Sequence, residues 1–384
     1  MREAVIVAYG RSPICRAFKG SLVETHPVDY AAQVMKGVLQ QIPQLDLKDV
    51  EDVIVGCAVQ HKKTSMNVAK NIVERADLPQ CVAAQSINRF CSSGLQAIAT
   101  ASNAIIAGQG DVYIAGGVED MTGTFEPYSE EDQEPWLREN KPGAYMPMGI
   151  TAENVAADRK ISRQEMDEFA VTSHKKAAKA QKTGQLAYSI IPVTVKGVDG
   201  EDIVLTTDEG IRENTNVNKL AELKPSFTDN GTVTAATSSQ TSDAAAFVVL
   251  MERSKAVALG IEPIAKLISY AIAGCDATKM GLGPVYAVPK VMARAGLTVE
   301  DMDVIEINEA FAAQAIPCCR ELGFPMDKVN PYGGAIALGH PLGATGAILT
   351  CKALDYLKVN NGKYGLITMC IGGGMGAAGI IESL

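Results

Sequence analysis

Two cysteines, one histidine and one asparagine stand in short segments whose residue types suit covalent chemistry on a carbonyl. In "NRFCSSGLQAIATASNAI" (88–105), Cys91 precedes a long Ala-rich helical run. Unpaired N–H groups and the dipole at a helix start favour an anion, so the expectation is a lowered thiol pKa at Cys91 and a nucleophile there. A lone cysteine is more often a small core residue, but the adjoining Ser-Ser-Gly is too polar and tightly turning for an apolar core. In "GGAIALGHPLGATG" (333–346), His340 lies among small residues beside Pro341, one of only four histidines. Held by a stiff loop, an imidazole can take a thiol proton or donate to an oxyanion; the plainer reading is a structural histidine. In "TMCIGGGMGAAG" (368–379), Cys370 can act as a base, and the glycine N–H groups can form an oxyanion pocket. In "INEAFAAQ" (307–314), Asn308 offers an amide that can hold a water, and Glu309 a carboxylate that can anchor a backbone turn. What argues for a site is that all four segments fall at strand-to-helix junctions.

One motif points elsewhere. "GMGAAG" (374–379) matches the dinucleotide pattern GxGxxG. That pattern needs a helix after it and an acidic residue about 20 positions later, and the sequence stops at Leu384. The expectation is that these glycines let backbone approach a reacting group.

The elements that would carry these residues alternate. Short β-branched runs at 4–9, 52–58, 111–117, 247–251, 303–308 and 365–371 read as buried strands, and 93–107, 151–159, 163–182 and 344–358 as helices. Such alternation predicts α/β layers. "DVEDVIVG" (49–56) echoes "EDMDVIEI" (300–307): Asp52 and Asp303 lie 251 positions apart, and Gly94 and Gly346 lie 252 apart. The matching offsets suggest a duplicated half. Residues 119–240 have no counterpart, include the loop-like "PYSEEDQEPWLRENKPG" (127–143), and read as an insertion of the kind that often forms a ligand-binding arm.

At 384 residues, with 47% hydrophobic and 21% charged residues, the chain has material for a large globular core. A net charge of −9 without a basic stripe argues against a nucleic-acid partner. Nine cysteines with no CxxC pair support neither a zinc site nor a disulfide framework, and fit a reducing compartment. No signal, transit or membrane-spanning segment is read, so the expected location is cytoplasmic.

Taken together, the chain resembles the thiolase family. "NRFCSSGLQA" is similar to its nucleophile motif, "NEAFAAQ" to its asparagine motif, "GGAIALGHPLGATG" to its histidine motif and "CIGGGMGAA" to its second-cysteine motif. "MGITAENVA" (148–156) and "GTVTAATSSQTSDAAA" (231–246) extend the likeness along essentially the whole chain. The resemblance implies two βαβαβαββ halves in a five-layer α/β/α/β/α stack, with an N-terminal half at 1–261, a CoA-binding loop domain inserted at about 119–240, and a C-terminal half at 262–384. It implies a dimer or tetramer, and reversible acyl transfer between CoA and the α-carbon of acetyl-CoA, with CoA thioesters as substrates and no cofactor or metal. By the same resemblance, Cys91 is the acylated nucleophile, His340 accepts its proton, and Cys370 moves the α-proton or activates the CoA thiol. The N–H groups of Cys91 and Gly372 hold the acyl oxygen, while His340 and a water on Asn308 hold the enolate oxygen. Met148 and Phe311 line the acyl cavity; Arg212, Phe227 and Ser239 meet CoA phosphate, adenine and pantetheine.

The sequence departs from the family at Ala236-Thr237, where many members have Gly-Asn, and at Ala244, where Gly is usual. Both positions belong to the pantetheine loop. Pro147 stands where strictly acetoacetyl-forming members often carry His, and no acyl tunnel is read from 124–143. The leading expectation is a 3-ketoacyl-CoA thiolase. The alternatives are an acetoacetyl-CoA-specific biosynthetic thiolase, a decarboxylating ketoacyl synthase (which would present two histidines), and a catalytically silent acyl-CoA- or lipid-binding relative, which would have lost a motif.

Overall fold

The computed structural model describes residues 2–124, 129–197 and 199–384. The first half supplies β1 (Ala4–Arg11), β2 (Asp52–Gly56), β3 (Ala83–Ile87), β4 (Val112–Asp120) and β5 (Ser242–Glu252), in the spatial order β3-β2-β4-β5-β1. The second supplies β6 (Ala265–Gly274), β7 (Val304–Ile307), β8 (Tyr364–Ile371) and β9 (Met375–Ser383), in the order β7-β8-β9-β6. The patterns match: β4-β2-β3 and β7-β8 are parallel, whereas β5 and β9 run antiparallel to their neighbours. An isolated Ile305–Val329 bridge stands against β7 as β3 stands against β2. The echo in the sequence is therefore a duplicated fold. Among the described residues, the two sheet halves meet edge to edge only at the Ile6–Ala265 pair.

Strand periodicity sorts the side chains into layers. On β5, Ala245, Phe247, Val249 and Met251 face Tyr30 and Val34 of α1 (Pro27–Leu39) and Ile72 of α2 (Val68–Arg75). The alternate residues Ala244, Ala246, Val248 and Leu250 face inward, onto Leu95 and Ile98 of α3 (Ser93–Ile106) and Ile348 and Leu354 of the central helix that runs from Leu342 to Asn360. Ile367 and Met369 of β8 close that layer from the other side. Leu366 and Ile380 point outward to Val288 and Val291 of the helix at Gly283–Ala295. The result is the expected five-layer stack. Between α3 and the second half, α4 (Met148–Arg159) and α5 (Arg163–Lys182) pack over the C-terminal strand ends; then follow α6 (Gly283–Ala295), α7 (Ala312–Glu321) and α8 (Leu342–Asn360).

The two central helices cross at backbone distance because both carry glycine at the crossing. A Cβ on Gly94 would lie 2.8 Å from the Ala347 nitrogen and 2.9 Å from the Gly343 oxygen, and one on Gly346 would fall on Leu95. Helix α8 is buried from Gly343 through Asp355, so its polar groups need partners. The Lys352 ammonium has them in Glu306 at 2.7 Å and the Gly333 carbonyl at 2.6 Å. The Asp355 carboxylate accepts from Tyr9 at 3.0 Å and Ser189 at 2.5 Å.

Two readings change. "GMGAAG" lies almost wholly within β9, and Gly376 gives room to the backbone of Gly283, where α6 packs. Those glycines serve sheet packing, while Gly372 keeps the approach to a reacting group. In the loop-like stretch, Pro135–Asn140 is helical, capped by the Glu134 carboxylate on the N–H groups of Trp136 (3.1 Å) and Leu137 (2.7 Å). Residues 125–128 of the unaligned segment lie outside the described residues.

Gly94→Ala tests the crossing. Replacing Gly by Ala in a helix gains up to about 1 kcal/mol of propensity, but the new methyl meets backbone, which cannot rotate away, and such overpacking costs about 1–3 kcal/mol. A net loss of about 1–2 kcal/mol is expected from denaturant midpoints, with Gly274→Ala, whose Cβ meets nothing within 4 Å, changing them by less than about 0.5 kcal/mol.

Candidate active site

The nucleophile segment is a knotted turn. Phe90 adopts φ +44°, a left-handed conformation unusual for a bulky residue. It is held there by Asn88, whose Oδ1 accepts the Phe90 N–H at 2.8 Å and whose Nδ2 donates to the Ala58 carbonyl at 2.9 Å. Ser93 accepts from the Arg89 N–H at 2.8 Å and donates to the Phe90 carbonyl at 2.7 Å. Cys91 sits in this short 3-10 turn, directly ahead of α3.

The thiol does not titrate as its place at a helix start suggests. Burial pushes it up to about 11, outweighing the backbone N–H groups of Gly372 and of Cys91 itself, which pull it down, and the Glu119 charge adds to the rise. Desolvation of the thiolate is the larger effect. The same N–H contacts bring the Gly372 and Cys91 donors together at the sulfur. Cys370, at the end of β8, is fully buried; burial first, then the nearby Cys91 charge, drives its thiol well above the ordinary range. The two thiols are neighbours.

His340 follows Gly339, which has φ +117°. Its N–H donates to the Gln240 carbonyl at 2.9 Å, and the Gln240 amide in turn holds the carbonyls of Gly210 (2.8 Å) and of Ile336 and Ala337 (both 3.1 Å). The ring is clamped from both sides. Nδ1 lies 2.6 Å from the Thr345 hydroxyl and Nε2 3.3 Å from the Asn308 amide nitrogen. The Thr345 hydroxyl donates to the Pro341 carbonyl at 3.2 Å. These partners assign the proton to Nδ1 and leave Nε2 as the acceptor. Burial lowers the ring pKa to about 4, so the resting imidazole is neutral.

Asn308 is tied to the second cysteine's strand by its N–H on the Thr368 carbonyl at 2.9 Å. Its Oδ1 is buried and unpartnered among the described residues, which suits an acceptor for water. The rest of the asparagine motif supports this turn. Glu309 accepts from Ser173 at 2.6 Å, Asn330 at 2.8 Å and the Ile336 N–H at 3.3 Å, so it anchors the loop that leads to His340. Gln314 accepts the Phe311 N–H at 3.1 Å and donates to the Asn308 carbonyl at 3.3 Å, capping α7.

The acyl and CoA candidates divide. Met148 opens α4, and its sulfur is 3.6 Å from where a Cβ on Gly372 would stand. Phe311 is buried, and the half-exposed Phe227 meets it edge-on at 5.9 Å between ring centres. Phe227 also lies over Gly149, so it borders the residues assigned to the acyl cavity. Ser239 donates its N–H to the Ala310 carbonyl at 2.9 Å. The Arg212 side chain is exposed, with its backbone N–H fixed by His174 at 3.1 Å. The departures at Ala236 and Ala244 are buried packing positions. Sequence reasoning missed Thr345, Gln314 and Glu153, whose carboxylate accepts from the N–H groups of Thr232 and Val233 at 2.9 Å and fixes that loop to α4. The signal for Thr345 was available as a hydroxyl five positions after His340. Among the described residues no cluster of His, Cys, Asp and Glu is arranged to hold a metal ion.

Comparison with known proteins gives the family. The family description "Thiolase, N-terminal domain" matches residues 4–254 and "Thiolase, C-terminal domain" residues 261–383. The chain is 46% identical to a 3-ketoacyl-CoA thiolase of Bacillus subtilis (strain 168), covering 100% of both chains. It is 44% identical to a protein of the same description from Saccharophagus degradans, covering 99% of this chain and 98% of that one. Among solved structures, the Bacillus anthracis acetyl-CoA acetyltransferase superposes with a TM-score of 0.93 at 36% identity, covering 100% of this chain and 99% of that one.

Two outcomes are expected. With a raised thiol pKa, the thiolate fraction at Cys91 grows about tenfold per pH unit, so its iodoacetamide labelling, followed by peptide mapping, should climb steadily from pH 7 to 10. Cys91 is half-buried and so open to the reagent, and a plateau below pH 8 would contradict the raised thiol pKa. Thr345→Val, which removes a buried partner worth about 1–3 kcal/mol, should lower kcat tenfold or more with little change in KM.

Proposed function

Because the chain belongs to the thiolase family and is an acyltransferase of that family, we propose that it cleaves 3-ketoacyl-CoA with CoA to acyl-CoA and acetyl-CoA, reversibly, through an acyl-Cys91 intermediate. The curated relatives described as 3-ketoacyl-CoA thiolases favour this over an acetoacetyl-specific role. The observation that carries the reading is the meeting of the Cys91 sulfur with the Gly372 N–H and Cys370, alongside the Asn308–His340 contact.

In the cleavage direction, His340 Nε2 takes the Cys91 proton as the sulfur attacks the 3-keto carbon, whose oxygen the N–H groups of Cys91 and Gly372 receive. The bond between C2 and C3 then breaks. Its electron pair leaves on acetyl-CoA as an enolate, held by His340 and a water on Asn308, and Cys370 protonates the α-carbon. Cys370, now a thiolate, takes the proton of the incoming CoA thiol. CoA sulfur attacks the acyl-Cys91 carbonyl, acyl-CoA departs, and the Cys91 thiolate recovers its proton from His340. Each fixed donor at a developing oxyanion is worth about 10²–10³ in rate, which accounts for two donor sets in one site.

The finer assignments belong to the same proposal. Met148 and Phe311 line the acyl cavity, and Arg212, Phe227 and Ser239 contact CoA. The halves divide at 261/262, with the loop domain at about 119–240. Two copies pair through the first half; β3 is the end strand of the sheet, with β2 as its one strand neighbour among the described residues, and Ala83 and Gln85 on it are exposed. The enzyme needs no cofactor and works in the cytoplasm; no helix among the described residues is long and apolar enough to cross a membrane.

A series of 3-ketoacyl-CoA substrates with CoA, followed by loss of enolate absorbance, tests the reaction. Turnover should rise for chains longer than acetoacetyl, and no loss with any member would end the proposal. Cys91→Ala should form no acyl-enzyme by mass spectrometry. Cys370→Ala should still acylate but stall at carbon–carbon chemistry.

A further inference from the structure

Glu119 is the last residue but one of the strand β4 and is fully buried, yet the chemistry above gives it no role. Its carboxylate accepts from the Ala58 N–H at 2.9 Å and the Val59 N–H at 3.0 Å, both in the turn after β2, and from the Cys57 thiol at 3.6 Å. It also accepts the Gly343 N–H at 2.6 Å, in the first turn of α8. Tyr30 fixes the Glu119 backbone by donating to its carbonyl at 2.7 Å. One carboxylate thus bridges the two halves of the fold. The turn it grips on one side accepts from Asn88, which holds the nucleophile turn; the helix on the other carries Thr345, which holds the His340 ring.

We propose that Glu119 is a positioning residue for the acylation step: its carboxylate locks the turn after β2 to the first turn of α8 and so sets the placement of His340 relative to Cys91. Three backbone N–H donors supply what a buried carboxylate requires, and a carboxylate at a helix N-terminus is favourably placed in the helix field. Burial pushes the Glu119 carboxyl up, against the Ala58, Gly343 and Val59 N–H groups that pull it down; in its ionised form it disfavours a free thiolate at Cys91, in line with the upward push it exerts there. It also offsets the positive end of α8, beside which an imidazolium must form when His340 takes the proton. Around Glu119 stand Tyr30 from α1 and Cys57 from the turn after β2, and Tyr30 also faces Asp120 on the same strand and Asp243 from β5; Cys370 faces Cys91 from β8.

The inference rests on Cys91 being the nucleophile, so acylation of wild-type Cys91 is measured alongside; its absence would sink that assignment and not this one alone. Glu119→Gln keeps the shape but removes the charge and turns an amide donor toward N–H donors. It should lower kcat tenfold or more with little change in KM, and raise Cys91 labelling by iodoacetamide at pH 8 threefold or more. Glu119→Asp keeps the charge but cannot span both halves: kcat should fall while Cys91 labelling stays at the wild-type rate. Wild-type kcat in either variant overturns the proposal. So does equal acceleration of labelling in both, which would mean simple loosening of the site. Should Glu119→Gln fail to fold, the Glu119→Asp pair of measurements decides alone.

Discussion

The site exists because two buried helices touch backbone to backbone. α3 and α8 lie in the middle layer, one from each half, and Gly94 and Gly346 remove the side chains that would hold them apart. Each helix begins where a catalytic segment ends: Cys91 ahead of Ser93, His340 ahead of Leu342. Bringing the helix starts together brings the segments that carry Cys91 and His340 side by side. Leu and Ile elsewhere on the same helices provide the apolar burial that keeps them there.

Burial also sets the charge state. A thiol raised to about 11 and an imidazole lowered to about 4 make a neutral resting pair. Water is replaced by fixed donors: two N–H groups at the sulfur, and the Asn308 amide at the ring. Such preorganised dipoles need no rearrangement when charge develops, and they act more strongly in a poorly polarisable interior than they would in water.

Much of this was legible in the sequence, and the parts that were not have physical reasons. The strands at 52–58 and 365–371 announce themselves by β-branched runs, and the paired offsets announce the duplication. β3, "AAQSI", lacks both alternation and β-branched weight, and β9 hides behind glycines; pairing with neighbours, not local preference, makes them strands. The four catalytic candidates could be named because each carries unusual chemistry in a small-residue setting. The thiol pKa could not be read, because helix-end electrostatics are local while desolvation depends on layers distant in sequence. Glu153, Gln314 and Glu119 went unread for a related reason: their partners are backbone N–H groups, which look alike in any sequence.

Within the sheet, the described residues of the two halves pair only at Ile6–Ala265, and this bears on how the molecule holds together. Hydrogen bonding along the sheet contributes little to their union, so cohesion comes from the shared middle layer and from bonds outside the sheet such as His340 N–H to Gln240 and Gly343 N–H to Glu119. Neither duplicated unit can shield the inner face of its own sheet: each supplies one helix where two are needed. Expressed separately, either would present a broad apolar wall to water, and melting of the whole is therefore expected to be a single cooperative event despite the repeat in its architecture.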